Sequence, residues 1–123
     1  MTAPQSSTSR RPGASDQQIS RVFRALSDPT RRAVLAQLSL KPASMTELAR
    51  PFKMALPSFA QHLTVLEECG VVRSHKEGRV RRYQLIPQPL AAAEDWMVSQ
   101  RTIWAQRLDQ LEEYVEQLQA AER

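Results

Sequence analysis

Five cationic side chains lie within residues 71–86, a stretch that contains a single acidic residue, Glu77. They are Arg73, Lys76, Arg79, Arg81 and Arg82. Like charges at this density repel one another unless an anion lies nearby, and Lys and Arg contacts to phosphate dominate the affinity of proteins for DNA. The pattern favours a phosphate-binding element in which Arg79 enters a minor groove, where narrow A·T tracts attract Arg. An edge hairpin protected from aggregation by its charge is the alternative.

A second polar group lies on a helix predicted at about residues 56–69. Ser58, Gln61 and His62 carry donors and acceptors that match base edges in the major groove, although such residues also occupy any solvated helix face. Phe59 has the spacing of a packing residue, but we also count it among the candidate contacts. The candidate DNA-binding residues are Lys53, Ser58, Phe59, Gln61, His62, Thr64, Arg73, Lys76, Arg79 and Arg81.

The chain has no pattern typical of a catalytic or metal site. Its two histidines, His62 and His75, have no nucleophile or carboxylate partner at a recognisable spacing, and no cofactor motif is present. Cys69 is the single cysteine, which excludes an internal disulfide and a cysteine-based zinc cluster. We therefore expect no enzymatic activity, no cofactor and no metal. Cys69 is expected to be a small buried residue, with a redox thiol as the alternative.

The period of the apolar residues predicts the elements that position these groups. Capping patterns at Ser15 and Ser44 and the Asp28-Pro29 pair mark three helix starts. Pro87 and Pro89 are expected to end a β-hairpin. A mainly α chain with a small hairpin in this order predicts a winged helix-turn-helix, whose fourth helix enters the major groove. Helices are expected over residues 16–26, 29–39, 45–50, 56–69 and 90–119, and strands over 71–76 and 80–86.

Composition and charge divide the chain into three parts. Residues 1–14 contain no large aliphatic or aromatic residue beyond Met1 and are expected to be a disordered arm. Residues 15–89 would form the winged helix-turn-helix domain, and residues 90–123 a long dimerisation helix. The first 90 residues hold 14 Lys and Arg against 6 Asp and Glu, whereas the remainder holds 3 Arg against 7 Asp and Glu. This split favours a polyanion-binding surface on the body and a different role for the last helix, with a basic surplus that serves only solubility as the alternative.

Targeting signals are not apparent in the sequence. No apolar run approaches the roughly 18 residues that a membrane span requires. The N-terminus lacks the apolar core of a secretory signal. We therefore expect a cytoplasmic protein with no membrane partner.

The predicted last helix carries an apolar stripe. At 100° per residue, its large apolar side chains fall within a sector of roughly 140°. A body of about 75 residues cannot cover a helix of about 45 Å, so part of the stripe is expected to pack on a second copy. Folding of the stripe onto its own domain is the alternative. Paired recognition helices about 34 Å apart would read an inverted repeat. The candidate dimer-interface residues are Phe23, Trp96, Ile103, Trp104, Leu108, Leu111, Val115 and Leu118.

Several short segments together match one known pattern. They are residues 23–32 (FRALSDPTRR), 45–49 (MTELA), 57–70, Gly78-Arg79 with Tyr83, and a tail that runs from Trp96 through Trp104 to Leu111. The combination resembles the ArsR/SmtB family of winged-helix regulators, whose opening reads F-x-A-L-[AS]-D-P-T-R-R. The resemblance covers about residues 19–118. It implies a dimeric repressor that leaves its operator when a signal arrives.

This chain differs from the family pattern at its metal-sensing positions and at the start of the fourth helix. Many family members sense metal through Cys-x-Cys on the third helix or through His and carboxylate pairs on the last helix. Residues 46–51 contain no cysteine and the last helix contains no histidine, so metal sensing at those two sites is not expected. The tail from Trp96 to Leu111 itself resembles a metal-independent branch of the family. Ala55, Leu56 and Ala60 replace residues that are commonly Ser, basic and Ser in the family, and Pro51 is expected to shorten the third helix.

The sequence therefore predicts a sequence-specific DNA-binding transcriptional regulator, a repressor that binds an inverted-repeat operator as a homodimer. Its partners would be double-stranded DNA and a second copy of the chain, while any small-molecule or protein effector is unknown. The alternative is a winged-helix module that docks a partner protein through its Trp-rich last helix. In that case the wing charges would be dispensable for partner binding.

Overall fold

The computed structural model describes residues 15–122, and the predicted disordered arm at 1–14 lies outside the described residues. The winged helix-turn-helix prediction is confirmed: helices dominate, with a small antiparallel sheet and a long final helix. The elements are α1 (Asp16–Leu26), α2 (Pro29–Leu40), β1 (Ala43–Ser44), α3 (Met45–Ala49), α4 (Leu56–Glu68), β2 (Val72–Glu77), β3 (Val80–Leu85) and α5 (Pro87–Ala121).

The described residues form two compact units that divide between Ala93 and Glu94, inside α5. We call residues 15–93 the winged body, which contains α1 to α4, the sheet and the first turns of α5. We call residues 94–122 the C-terminal segment, which is the remainder of α5.

Side chains at the helix starts explain where the first three helices begin. The Oγ atom of Ser15 accepts from the backbone N–H of Gln18 at 3.0 Å, and Asp28 Oδ2 accepts from the N–H of Arg31 at 3.1 Å. At α3, Ser44 and Glu47 form a complete capping box. Each of these bonds satisfies a backbone group that the first turn of a helix leaves without an intrahelical partner.

Two prolines occupy a different place from the one that the sequence predicts. Pro87 and Pro89 were expected to separate the hairpin from a helix beginning near residue 90, but both lie in the first turn of α5. The first N–H groups of a helix have no acceptor within it, so the missing N–H of proline costs nothing there. The helix therefore starts three residues earlier and joins the hairpin almost directly.

The sheet has three strands in the order β1-β3-β2, all antiparallel. The sequence predicts only the β2–β3 hairpin, which we call the wing (72–85). The additional strand β1 comprises Ala43 and Ser44, which pair with Tyr83 and Arg82. The residue that caps α3 is thus also paired through its backbone to the wing.

A single apolar core joins these elements. Val22 and Ala25 of α1, Leu35 and Leu38 of α2, and Leu48 of α3 are buried. Phe59, Leu63 and Leu66 extend the core into α4, and Val71, Val72 and Tyr83 extend it to the base of the wing. Cys69 is part of the same core and is a free thiol. Because the core contacts every element of the winged body, α4 and the wing are held on one scaffold.

Candidate nucleic-acid interface

Helix α4 presents one apolar and one polar side. Phe59, Leu63 and Leu66 are buried, whereas Ser58, Gln61 and Thr64 are exposed at intervals of three residues. Residues three or four apart share a helix face, so the polar side chains lie together in the first three turns of the helix. This is the part of a recognition helix that contacts base edges in helix-turn-helix proteins.

The structure corrects the assignment of Phe59. Its side chain has no solvent exposure, and its ring packs against that of Phe52 with 5.4 Å between centroids. A side chain without accessible surface has no means of touching DNA, so Phe59 is a core residue that holds α4 in place. Its apolar spacing with Leu63 and Leu66 was the correct signal.

The start of α4 departs from the usual family pattern, as the sequence indicates. Ala55 is the N-cap, and its side chain makes no capping hydrogen bond. Helix α3 ends at Ala49, just before Pro51, which leaves it five residues long. Lys53 is exposed in the turn between the two helices. Thr64 is exposed as well, although its hydroxyl already donates to the carbonyl of Ala60 at 3.1 Å.

His62 is tied to the α1–α2 corner. Its Nδ1 atom lies 3.3 Å from Nη1 of Arg31 and 3.7 Å from Oδ2 of Asp28. The side chain retains 24% exposure, so part of it stays open to solvent. Arg31 is anchored in turn, because its guanidinium donates to the carbonyls of Arg24 and Ala25 at 2.9 and 3.0 Å.

The pKa of the Asp28 carboxyl is lowered by this environment. Partial burial acts in the opposite direction and is the largest single influence. It is outweighed by the hydrogen bond from the backbone of Arg31 together with the positive charges of His62 and Arg31. Asp28 is therefore a carboxylate that both caps α2 and faces the ring of His62.

Two of the five wing cations have partners in the structure. Arg82 donates through Nε to Oε1 of Glu77 at 3.2 Å, and its Nη1 lies 4.0 Å from Glu47. His75 also contacts Glu77, at 2.9 Å. Arg81 donates through Nη1 to the hydroxyl of Ser74 at 2.9 Å. Hydrogen bonds from His75 and from Arg82 lower the pKa of Glu77, so its charge compensates that of Arg82.

A chain of hydrogen bonds connects the end of α4 to the wing. The Ser74 hydroxyl donates to Oε2 of Glu67 at 2.8 Å and accepts from Arg81. Tyr83, which lies opposite Ser74 across the hairpin, is buried in the core, and this burial together with the charge of Glu67 raises the pKa of the phenol. The wing is therefore fixed to α4 by a polar link as well as by the core.

The remaining wing cations are open to solvent. Within the described residues, no carboxylate lies within 4.0 Å of a charged nitrogen of Arg73, Lys76 or Arg79. Arg79 follows Gly78 at the tip of the wing. The glycine has a φ of +64°, a value that residues other than glycine rarely adopt. Lys76 lies opposite Arg81 across the hairpin. These exposed cations are the groups best placed to meet phosphate.

The C-terminal segment has a different kind of surface. Trp104, Leu108, Leu111, Val115 and Leu118 recur at intervals of four and three residues and are all exposed, and we call them the apolar seam. Such 4-3 spacing is the pattern of helices that pair in a coiled coil. Ile103 is exposed beside the seam, and the ring of Trp96 contacts that of Trp104 edge-on at 6.5 Å. Phe23, also predicted in the interface, is partly exposed on α1 of the winged body.

Residues 15–122 contain no group of three or more His, Cys, Asp or Glu side chains arranged to hold a metal ion. No described helix is long and apolar enough to cross a membrane.

Sequence reasoning missed the links between distant residues. The Asp28–Arg31–His62 cluster joins positions separated by 31 residues, and the contact between Glu47 and Arg82 depends on the pairing of β1 with β3. Each residue was visible as a cap, a cation or a polar helix residue. Only the packing of the core shows which of them meet.

This chain is similar to known helix-turn-helix proteins in both sequence and structure. Residues 26–75 match the model of a helix-turn-helix domain family. The transcriptional repressor SdpR of Bacillus subtilis is 32% identical over 66% of this chain and 90% of its own. The HTH-type transcriptional regulator Rv2034 of Mycobacterium tuberculosis is 42% identical over 58% of this chain and 67% of its own. A crystal structure of an ArsR family transcriptional regulator has a TM-score of 0.70 and 48% identity, covering 75% of this chain and 95% of that one.

Proposed function

Because the chain belongs to the ArsR/SmtB family of DNA-binding transcriptional regulators, we propose that it is a repressor that binds an inverted-repeat operator as a homodimer. The family is not an enzymatic one. We further propose that the protein works in the cytoplasm, where its DNA target would lie.

The main support for the DNA-binding proposal is that α4 and the wing belong to one scaffold and both expose groups suited to DNA. Ser58, Gln61 and Thr64 offer hydrogen-bonding groups on the exposed side of α4, and the wing adds exposed cations at Arg73, Lys76 and Arg79. Base edges would be read by the first group, and phosphates would be held by the second. Lys53, in the turn before α4, would extend the phosphate contacts.

The apolar seam supports the homodimer. Trp104 and the four residues that follow it along the seam are exposed in the single chain, although side chains of this size in soluble proteins are usually covered. A second copy is the simplest cover, because two-fold dimers are the commonest assembly. Two-fold pairing would repeat the recognition helix, which is why an inverted repeat is the expected operator. Phe23, Trp96 and Ile103 are the further candidate residues of this interface.

Selection from random duplex DNA tests the proposal directly. The full chain is incubated with the library, bound sequences are amplified over several rounds, and the product is footprinted with a nuclease. We expect an inverted repeat with half-sites about one helical turn apart, and a complex with two protein chains per duplex by mass measurement.

Two results would contradict the proposal in different ways. Failure to enrich any sequence at low salt would remove the DNA-binding role and favour a module that docks a protein through its Trp-rich helix. Enrichment of an unrepeated site bound by a single chain would leave DNA binding in place and remove the homodimer. Repression itself is tested by a reporter gene under the selected site, with and without the protein.

A further inference from the structure

The side chain of His62, on α4, has a neighbour that constrains which of its ring nitrogens carries the proton. A neutral imidazole carries its proton on either Nδ1 or Nε2, and its neighbours determine which. Here Nδ1 lies 3.3 Å from the Nη1 atom of Arg31. A guanidinium only donates hydrogen bonds, so this contact requires Nδ1 to accept.

The second neighbour of Nδ1 would favour the opposite arrangement. Asp28 Oδ2 lies 3.7 Å away, and a carboxylate only accepts, so a bond between these two groups requires a proton on Nδ1. That distance is too long for a hydrogen bond, whereas the Arg31 contact, at 3.3 Å, is a long hydrogen bond. Arg31 therefore determines the tautomer, and Asp28 is the acceptor that would replace it if Arg31 were removed.

We propose that Arg31 is a positioning residue that holds His62 in the Nε2–H tautomer, so that α4 offers an N–H donor, and no acceptor, to DNA at this position. The groups that such a donor fits are guanine O6 or N7, adenine N7, thymine O4 and a phosphate oxygen. It does not fit the amino groups of cytosine or adenine. The specificity of His62 would thus be set by a residue on a different helix.

The anchoring of Arg31 explains how it could hold the ring. Its guanidinium donates to the carbonyls of Arg24 and Ala25 and to the hydroxyl of Ser27 at 3.2 Å. A group bonded to three points of the α1–α2 corner has little freedom to rotate away. Arg32 provides a natural control, because its Nη1 donates to the carbonyl of Leu26 at 2.6 Å. It has the same charge and lies on the same helix, but among the described residues it makes no hydrogen bond with His62.

Nitrogen NMR on the full chain tests the tautomer without DNA. The chain has only two histidines, so a His75→Gln variant assigns the signals. At about pH 8, where imidazoles are neutral, we expect the wild-type His62 to have its proton on Nε2. In Arg31→Ala the proton should move toward Nδ1, facing Asp28, whereas Arg32→Ala should leave the tautomer unchanged. A wild-type proton on Nδ1, or an equal shift in both variants, would overturn the inference.

The reading role rests on the proposed function and is tested on the selected duplex. Arg31→Ala and His62→Ala should each weaken binding about two- to tenfold, as expected for the loss of one hydrogen bond. If Arg31 acts through His62, the double variant should bind no more weakly than His62→Ala alone. Multiplied losses would show that Arg31 acts independently, and this would remove the reading role. If no duplex were selected at all, the proposed function would fail, and the NMR result would still decide the tautomer.

Discussion

Large apolar side chains are mostly buried or half-buried in the winged body but mostly exposed in the C-terminal segment. In the body, Phe59 and Leu63 have 0% and 1% of their surface exposed, whereas Trp104 and Leu108 of the segment have 51% and 61%. Both units contain helices with regular apolar spacing. The difference shows that the body completes its own core, while the segment carries a stripe that this single chain leaves uncovered.

The largest effect is expected from a charge placed in the apolar seam, which tests whether the exposed stripe is covered by a second copy. Trp104→Glu should abolish the proposed dimer, with a loss of about 4 kcal/mol or more of association free energy, because two-fold pairing loses the residue twice. Light scattering coupled to size exclusion should report monomers or insoluble protein. Gln106→Glu adds the same charge on the opposite side of α5 and should leave the mass unchanged. A soluble Trp104→Glu dimer would show that the seam is not the interface.

Matched leucine truncations in the two units extend the comparison to stability. Leu63→Ala removes a buried side chain from the body and should cost about 2–5 kcal/mol of unfolding free energy. This loss of unfolding free energy should be the same at every protein concentration. Leu111→Ala, in the seam, should weaken the proposed dimer instead, so its shift in melting temperature should be largest at high protein concentration and should shrink on dilution, where the wild type also dissociates. Calorimetry over a range of protein concentrations distinguishes the two variants. If their shifts in melting temperature had the same concentration dependence, the seam would not differ from the core in this respect.

A third variant asks whether reading and assembly belong to different units. Gln61→Ala, on the exposed side of α4, should reduce discrimination between the selected site and its base-pair variants by about 1–3 kcal/mol at one position. The oligomeric state should stay the same, because the residue lies in the body. Competition binding with single-substituted duplexes provides the measurement. Equal losses on specific and random DNA would argue against direct reading by Gln61.

The wing offers a smaller and more general effect. Arg79→Ala should weaken binding to all sequences and should reduce the slope of log affinity against log salt by about one unit, since one phosphate contact is lost. Arg82→Gln is the matched control, because Arg82 is already paired with Glu77 and Glu47. An unchanged slope in Arg79→Ala, or an equal change in the control, would show that Arg79 does not contact phosphate.

The smallest expected effect concerns acid stability of the body. Hydrogen bonds from Ser44, and to a lesser extent the charge of Arg82, lower the pKa of Glu47 below its ordinary value of 4.5. A carboxyl group with a lowered pKa stabilises the fold above its unfolded value and loses that contribution as pH falls through the folded value. Glu47→Gln keeps an acceptor for the capping box but does not titrate. Urea midpoints measured below about pH 5 should therefore fall less steeply in the variant than in the wild type.

The sequence predicts the elements of the body well because their signals are local. Ser15, Asp28 and Ser44 each cap a helix within three residues of their partner, and Gly70 and Gly78 adopt the positive φ that a helix end and a tight turn require. The predicted ends of α1 to α4 differ from the structure by no more than a residue. The error at Pro87 and Pro89 is also instructive, since proline is compatible both with the end of a strand and with the first turn of a helix.

The candidate site is less predictable, because it depends on contacts between distant residues. Apolar spacing identifies Phe59 as a core residue, but its place on α4 also made it a candidate contact, and only burial separates the two. The five cations of the wing look equivalent in the sequence. In the structure Arg82 is paired with Glu77 and lies beside Glu47, whereas Arg73, Lys76 and Arg79 are exposed. The pairing of β1 with β3 creates that difference.

Strand β1 has a consequence for anyone who wishes to redesign the DNA specificity of this protein. Ser44 caps α3 with its hydroxyl, pairs with Arg82 through its backbone, and shares Glu47 with the same arginine. A hairpin transplanted from another regulator would therefore disturb the start of the helix-turn-helix unless it also carried an arginine in the same register. Ser58 and Gln61 meet no such constraint, because within the described residues neither side chain is bonded to the wing. Chimeras should accordingly exchange residues 43–47 and the wing together, as one cassette.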